Sequence, residues 1–187
     1  MRPQKIDDTT LLEGLMMVFR TKGYDGASLN DLAGSSGLQK ASLYHRFPGG
    51  KKDIAAAVLK FIQEWHENHI DKIVYDKQLE PLVKLETILT NITAIYDNGR
   101  CSCIMKALSM GNGLELFSAE LKAGTEKWLQ ALTHLALDFG QSQAAAEILA
   151  MQSLVKIQGG LVVSVNLNNT QPFELAIQDI AIAYKAN

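Results

Sequence analysis

The sequence predicts an all-α protein, and three observations support that prediction. Apolar residues recur at intervals of three and four in almost every segment, which is the spacing of one helix face. Ser, Asp, Pro and Gly stand where such segments begin and end. No stretch has a convincing strand pattern, because even Leu161-Val162-Val163 continues a long helical pattern without a turn signal.

Composition supports an ordinary globular chain. Its 187 residues are 47% hydrophobic and 20% charged, so a core can form without disulfides or metals, and disordered or collagen-like classes are excluded. The first ten residues, MRPQKIDDTT, lack the apolar segment of a signal peptide, and no apolar run approaches the ~18 residues of a membrane span. We therefore expect a cytoplasmic protein with no membrane partner, whose two cysteines stay reduced.

The first fifty residues predict three helices. One begins near Asp7 and ends near Lys22-Gly23, with apolar residues on one face. The second begins at Ser28, with Asp31 in capping-box register, and ends near Ser35. Gly37 breaks the chain, and a third short helix runs from Leu38 to Phe47 before Pro48-Gly49-Gly50.

The remaining chain predicts longer helices. The first extends from Lys51 to about Val74, and the others cover residues 80–97, 103–111, 115–138, 142–165 and 172–185. We place a domain boundary at the start of the long helix. The predicted architecture is a small N-terminal domain, residues 1–50, and a larger helical domain, residues 51–187.

The third helix has an unusually polar outer face. Leu38, Leu43 and Phe47 can pack inward, while the opposite side carries Gln39, Lys40, Ser42, Tyr44, His45 and Arg46. Two short helices joined by a glycine-containing turn match the helix-turn-helix arrangement, whose second helix enters the DNA major groove. Gln39 and Ser42 can bond base edges, Lys40 can contact phosphate or guanine, and Ala41 allows close approach. A three-helix cap with a merely solvated polar face has the same periodicity.

Charge is distributed unevenly along the chain. Residues 1–60 carry nine Lys and Arg against six Asp and Glu, whereas residues 61–187 carry nine against fourteen. A net charge of +3 on the first part and −5 on the rest favours a polyanionic partner for the N-terminal domain.

Residues 23–59, GYDGASLNDLAGSSGLQKASLYHRFPGGKKDIAAAVL, resemble the TetR family of one-component transcriptional regulators. The resemblance implies a DNA-binding regulator and places Lys40, Ala41, Ser42, Tyr44 and His45 at reader positions. It also implies phosphate contacts from Ser28 and from Lys51, which opens the fourth helix. Gln39 replaces the small residue usual in the family and Arg46 a common histidine, so the operator sequence cannot be transferred from relatives.

The rest of the chain resembles one branch of that family, the LmrA/YxaF type, through residues 48–59 and through KIQGGLVVSVNLNNTQPFELAI at 156–177. This branch controls efflux and responds to drugs or plant flavonoids. The resemblance implies a repressor that forms a homodimer through its last two helices and leaves a palindromic operator when a small molecule binds. The expected ligand is aromatic or drug-like, with candidate lining residues Met105, Leu108, Met110, Phe117, Trp128 and Gln158.

Other functional classes have less support in the sequence. No nucleophile elbow, paired catalytic carboxylates, phosphate loop or zinc-ligand spacing is present, so neither an enzyme nor a cofactor is expected. Cys101 and Cys103 at a helix start could sense oxidants or electrophiles, although small buried cysteines are commoner. A helical interaction module without DNA binding is the third alternative.

Overall fold

The computed structural model describes residues 6–186, which form ten α-helices, one π-helical turn and one 3-10 turn without any β-strand. The all-α prediction is confirmed. The helices are α1 (Asp8–Gly26), α2 (Leu29–Ser36), α3 (Lys40–Arg46), α4 (Lys51–His66), α5 (Lys72–Val74), α6 (Pro81–Ile95), α7 (Ile104–Leu108), α8 (Asn112–Asp138), α9 (Gln143–Leu167) and α10 (Gln171–Lys185).

Most helix boundaries lie where the sequence signals predict them. The Asp7 carboxylate accepts a hydrogen bond from Thr10 N at 2.9 Å and caps α1. Gly23 has φ 68° and interrupts the regular part of α1. The long helix from Lys51 to Val74 contains a π-helical turn, Glu67–Asp71, that the sequence did not predict.

The chain forms two compact units. The first contains residues up to 63 together with Ile104–Leu121, so a segment distant in sequence belongs to the N-terminal helices. Its core contains Leu11, Leu15, Phe19, Leu32, Leu43, Phe47, Ile54, Val58, Leu108 and Phe117. The functional boundary near residue 50 stays a prediction.

The second unit contains Glu64–Cys103 and residues from 122 onward. Its buried apolar residues include Ile70, Val74, Leu85, Ile88, Ile92, Leu132, Leu135, Ile157, Leu161, Phe173 and Ile180. Helices α9 and α10 pack along each other. Their contact is close at Gly160, where an added Cβ would lie 3.1 Å from the Ala176 Cβ.

A buried tyrosine gives the second unit a distinctive pH dependence. Tyr184 donates a hydrogen bond to the Leu132 carbonyl at 3.0 Å, and burial raises its pKa to about 12. The unfolded value is about 10, so its contribution to stability is complete below pH 10 and is lost as pH rises toward 12. We expect the free energy of unfolding to fall by about 2 kcal/mol over that range, measured by urea denaturation.

The matched variant for that measurement is Tyr184→Phe. It should lack this part of the alkaline loss, because phenylalanine has no proton to release. Equal alkaline slopes for both proteins would show that Tyr184 titrates normally in the fold.

Helix α9 is long and apolar enough to cross a membrane by length and composition alone, which the sequence did not predict. Its charged residues are few, and only 28% of its apolar 18-residue stretch is buried. One face packs toward α10, with Ala146, Ala150, Ser153, Ile157 and Leu161 buried. The opposite face leaves large apolar side chains exposed, so part of α9 lacks cover in the single chain.

Candidate nucleic-acid interface

The N-terminus of α2 is fixed by the predicted capping box. Ser28 Oγ accepts a hydrogen bond from Asp31 N at 3.1 Å, and Asp31 Oδ2 accepts one from Ser28 N at 3.0 Å. Lys22 Nζ lies 2.5 Å from the same carboxylate. The bonds from Lys22 and Ser28 lower the pKa of Asp31, which stays ionised at neutral pH. Ser28 itself remains exposed at the edge of the unit.

The turn between α2 and α3 sets the orientation of α3, the predicted reader helix. Gly37 closes α2 with φ 65°, a left-handed conformation that favours glycine. The Ser36 hydroxyl donates to the Ala33 carbonyl at 3.0 Å and accepts from Leu38 N at 3.3 Å. Leu43 and Phe47 are buried beneath α3. These contacts fix one face of α3 and leave the other accessible.

That accessible face contains every reader residue that the sequence predicted: Gln39, Lys40, Ala41, Ser42, Tyr44 and His45 are all exposed. Gln39 is the N-cap residue of α3, but its side chain does not cap the helix. Arg46 forms an ion pair with Asp8, so its guanidinium is already engaged within the unit. The geometry gives α3 a polar surface of short and long side chains suited to the edges and phosphates of a DNA groove.

Lys51 is the first residue of α4 and is half-buried. Its Nζ lies 4.6 Å above the centroid of the Tyr24 ring and donates to the Asp25 carbonyl at 3.4 Å. The Gly49 amide donates to the Asp53 carboxylate at 2.6 Å. Because the Gly49 amide already donates to Asp53, a phosphate here would be held by the Lys51 ammonium rather than by Gly49.

Residues 11–58 match the family model described as "Bacterial regulatory proteins, tetR family". Two Bacillus subtilis (strain 168) proteins align with nearly the whole chain. The uncharacterized HTH-type transcriptional regulator YxaF is 22% identical and covers 92% of each chain. The HTH-type transcriptional regulator LmrA is 23% identical and covers 87% of this chain and 88% of its own. Residues 11–58 therefore match the DNA-binding domain of TetR regulators, and the whole chain resembles two HTH-type regulators.

Solved structures of TetR regulators show the same fold. The regulator from Legionella pneumophila is 19% identical, with a TM-score of 0.79 over 95% of this chain and 97% of its own. CifR, a TetR regulator crystallised as a cysteine mutant with 26 bp operator DNA, is 20% identical, with a TM-score of 0.72 over 98% and 99% of the two chains. The chain is therefore a DNA-binding transcriptional regulator and not an enzyme, and a helical module without DNA binding is set aside.

The predicted ligand-lining residues of this chain lie in both units. Leu108 and Phe117 belong to the core of the first unit, with Met105 packed against it, while Met110 is 61% exposed. Trp128 and Gln158 lie in the second unit and are half-buried. Their role in ligand binding remains a prediction.

Trp128 has a notable neighbour in the second unit. Its ring stands edge-on to His66, with 4.6 Å between the centroids. Burial lowers the pKa of His66, although Asp71, 3.4 Å from Nδ1, opposes that shift. Among the described residues, His66 Nε2 makes no hydrogen bond. A neutral imidazole with an unused nitrogen therefore lies next to a predicted ligand residue.

A groove of about 450 Å³ also lies on the second unit, and none of the predicted ligand residues is among those that line it. It is lined by Tyr75, Glu126, Leu129, Gln130, Thr133, His134, Leu137, Gln143 and Glu147. Tyr75 and His134 form its aromatic wall, with ring centroids 4.7 Å apart. Sequence periodicity places these residues on helices but cannot show that they share a groove.

The two cysteines differ in accessibility. Cys103 is buried, and its sulfur accepts a hydrogen bond from the Tyr96 hydroxyl at 3.5 Å. Cys101 is half-buried, with Sγ 3.8 Å from the Ile95 carbonyl. The burial of Cys103 limits access for an oxidant or electrophile, so this geometry offers little support for the redox alternative.

Proposed function

We propose that this TetR-family regulator is a cytoplasmic, ligand-responsive repressor that binds a palindromic operator as a homodimer. The observation that carries the DNA-binding part is the exposed polar face of α3, beside the Lys51 ammonium at the start of α4. Two copies of α3 related by a two-fold axis would read half-sites about one DNA turn, roughly 34–36 Å, apart. Small-molecule binding to the C-terminal helices would then favour a state with weaker operator affinity.

The apolar surface of the last two helices supports the dimer. Exposed apolar residues on α9 follow steps of three, four, seven and three and form what we call the α9 stripe: Ile148, Met151, Val155, Val162 and Val165. Leu175 and Ile182 are exposed on α10. A stripe with this spacing suits packing against another helix at a shallow angle. A second copy of the chain would remove these side chains from water.

An aromatic effector is the ligand class that we propose. Trp128 offers a ring surface, and the unused Nε2 of the neighbouring His66 offers a hydrogen-bond acceptor or donor. A panel of aromatic drugs and plant flavonoids, titrated against the protein while tryptophan fluorescence is recorded, would find such ligands. A verified ligand that leaves operator affinity unchanged would contradict ligand-responsive repression.

Selection of bound sequences from random duplex DNA is the experiment that tests whether the protein recognises an operator. We expect a two-fold symmetric site whose affinity falls steeply with salt, because bound lysines and arginines displace counterions from the phosphates. Failure to enrich any sequence, after removal of co-purified ligand, would overturn the operator proposal.

Lys51→Ala should weaken binding to all operators about equally. Each protomer loses one phosphate contact, so the slope of log affinity against log salt should fall by about two for the dimer. Lys77→Ala, an exposed lysine of the second unit, is the matched control and should leave the slope unchanged. Gln39→Ala should instead alter the preferred base at one position of each half-site.

A further inference from the structure

A turn from the middle of the chain contacts the end of α1 in the first unit. Asn112 N donates to Asp25 Oδ2 at 3.1 Å, and Asn112 Nδ2 donates to Asp25 Oδ1 at 2.9 Å. Both carboxylate oxygens of Asp25 are therefore held by one residue that lies 87 positions further along the chain. We call this pair of hydrogen bonds the Asp25 clamp.

Two glycines bring the turn this close. Gly111 has φ 55°, and a Cβ there would lie 2.1 Å from Asp25 Oδ2. A Cβ on Gly113 would lie 2.5 Å from the Leu108 carbonyl oxygen and 3.0 Å from the Tyr24 Cβ. Both positions exclude side chains, so the turn has the shape that the clamp requires.

The residues at this end of α1 also contact the Lys51 side chain. The residue that the clamp holds, Asp25, accepts a hydrogen bond from Lys51 Nζ through its carbonyl oxygen at 3.4 Å. The preceding residue, Tyr24, places its ring beneath the same ammonium. That ring is supported by Phe117 of α8 in an edge-on contact with 5.5 Å between centroids. Helix α8 thus contacts both groups that touch the Lys51 ammonium.

We propose that Asp25 and Asn112 are positioning residues that hold the Lys51 side chain in the orientation needed for its DNA phosphate contact. The inference rests on the phosphate role proposed above for Lys51. Fixing the long lysine side chain before DNA arrives reduces the entropy lost on binding. Neither Asp25 nor Asn112 needs to touch DNA for this effect.

Asp25→Ala distinguishes the clamp from simple electrostatics, because the two predict opposite changes in operator affinity. Removing an acidic group near DNA would by itself tighten binding. Loss of the clamp should instead weaken operator affinity about five- to tenfold and lower the salt slope toward that of Lys51→Ala. Glu115→Gln, an exposed acid on α8 in the same unit, is the matched charge control and should bind as tightly as the parent or tighter.

The double variant Asp25→Ala/Lys51→Ala completes the test. If Asp25 acts through Lys51, the double variant binds no more weakly than Lys51→Ala alone. The clamp would be overturned if the losses of operator affinity from the two single variants multiplied in the double variant, or if Asp25→Ala bound more tightly. Either result would leave the phosphate role of Lys51 intact. If Lys51→Ala left operator affinity and its salt dependence unchanged, the phosphate role itself would be rejected.

Asn112→Ala provides a milder variant in case Asp25→Ala folds poorly. It removes the side-chain hydrogen bond and keeps the backbone one, so a smaller loss of affinity in the same direction is expected. Ser118→Ala, exposed on the same helix, controls for general effects on α8. Parent-like affinity and salt slope in a folded Asn112→Ala protein would contradict a role for this side chain.

Discussion

Val155→Glu is expected to convert the proposed dimer into monomers and to weaken operator binding by at least about a hundredfold. Val155 is 62% exposed in the single chain and lies in the middle of the α9 stripe. A glutamate there stays hydrated in a monomer and costs the fold little. In a dimer, both copies would lose water against apolar side chains without a cationic partner, which opposes association.

Sedimentation measures the association, and titration of operator DNA measures the affinity. Ala123→Glu is the matched control, because it adds the same charge at an exposed position of α8, outside the last two helices. That control should remain dimeric and bind DNA as the parent does. A dimeric Val155→Glu protein with parent affinity would place the interface elsewhere.

The sequence predicted which helices form this surface but could not show which face is exposed. Ala146, Ala150 and Ser153 are buried, and Gly160 lies against α10, so these small residues lie on the inner face of α9. Helix α9 has apolar residues on nearly every side, so periodicity cannot distinguish its inner face from its outer one. Only the packing of α10 decides between them.

The exposed face of α3 was predictable because its signals are local. Capping at Ser28, the break at Gly37 and the inward Leu43 and Phe47 determine together which side chains of α3 point outward. The Asp25 clamp was not predictable in this way. Its partners are 87 positions apart, and although Asp25 lies within residues 23–59, no sequence pattern pairs it with Asn112, so only tertiary packing brings them together.

The π-helical turn at Glu67–Asp71 was missed for a related reason. Its residues have ordinary helical spacing, and no proline or glycine marks the position. The turn lies beside His66, whose burial and contact with Trp128 also depend on packing in the second unit. Sequence reasoning selected Trp128 for its chemistry but had no signal for this histidine.

The second large effect is expected from Asp138→Ala, which should lower the free energy of unfolding of the second unit by about 3 kcal/mol. Lys84 is only 5% exposed, and its ammonium donates to Asp138 Oδ2 at 2.6 Å and to the Val74 carbonyl at 2.8 Å. Removing the carboxylate leaves a buried positive charge with one carbonyl partner. The loss should therefore far exceed that of an exposed ion pair.

Urea denaturation of matched variants separates burial of the charge from loss of the contact itself. Asp179→Ala removes the partner of exposed Lys156, whose Nζ lies 3.5 Å away, and should cost at most about 1 kcal/mol. The double variant Lys84→Met/Asp138→Leu should be more stable than Asp138→Ala, because no uncompensated charge remains. If Asp138→Ala were as mild as Asp179→Ala, Lys84 would have to reach water when its partner is removed.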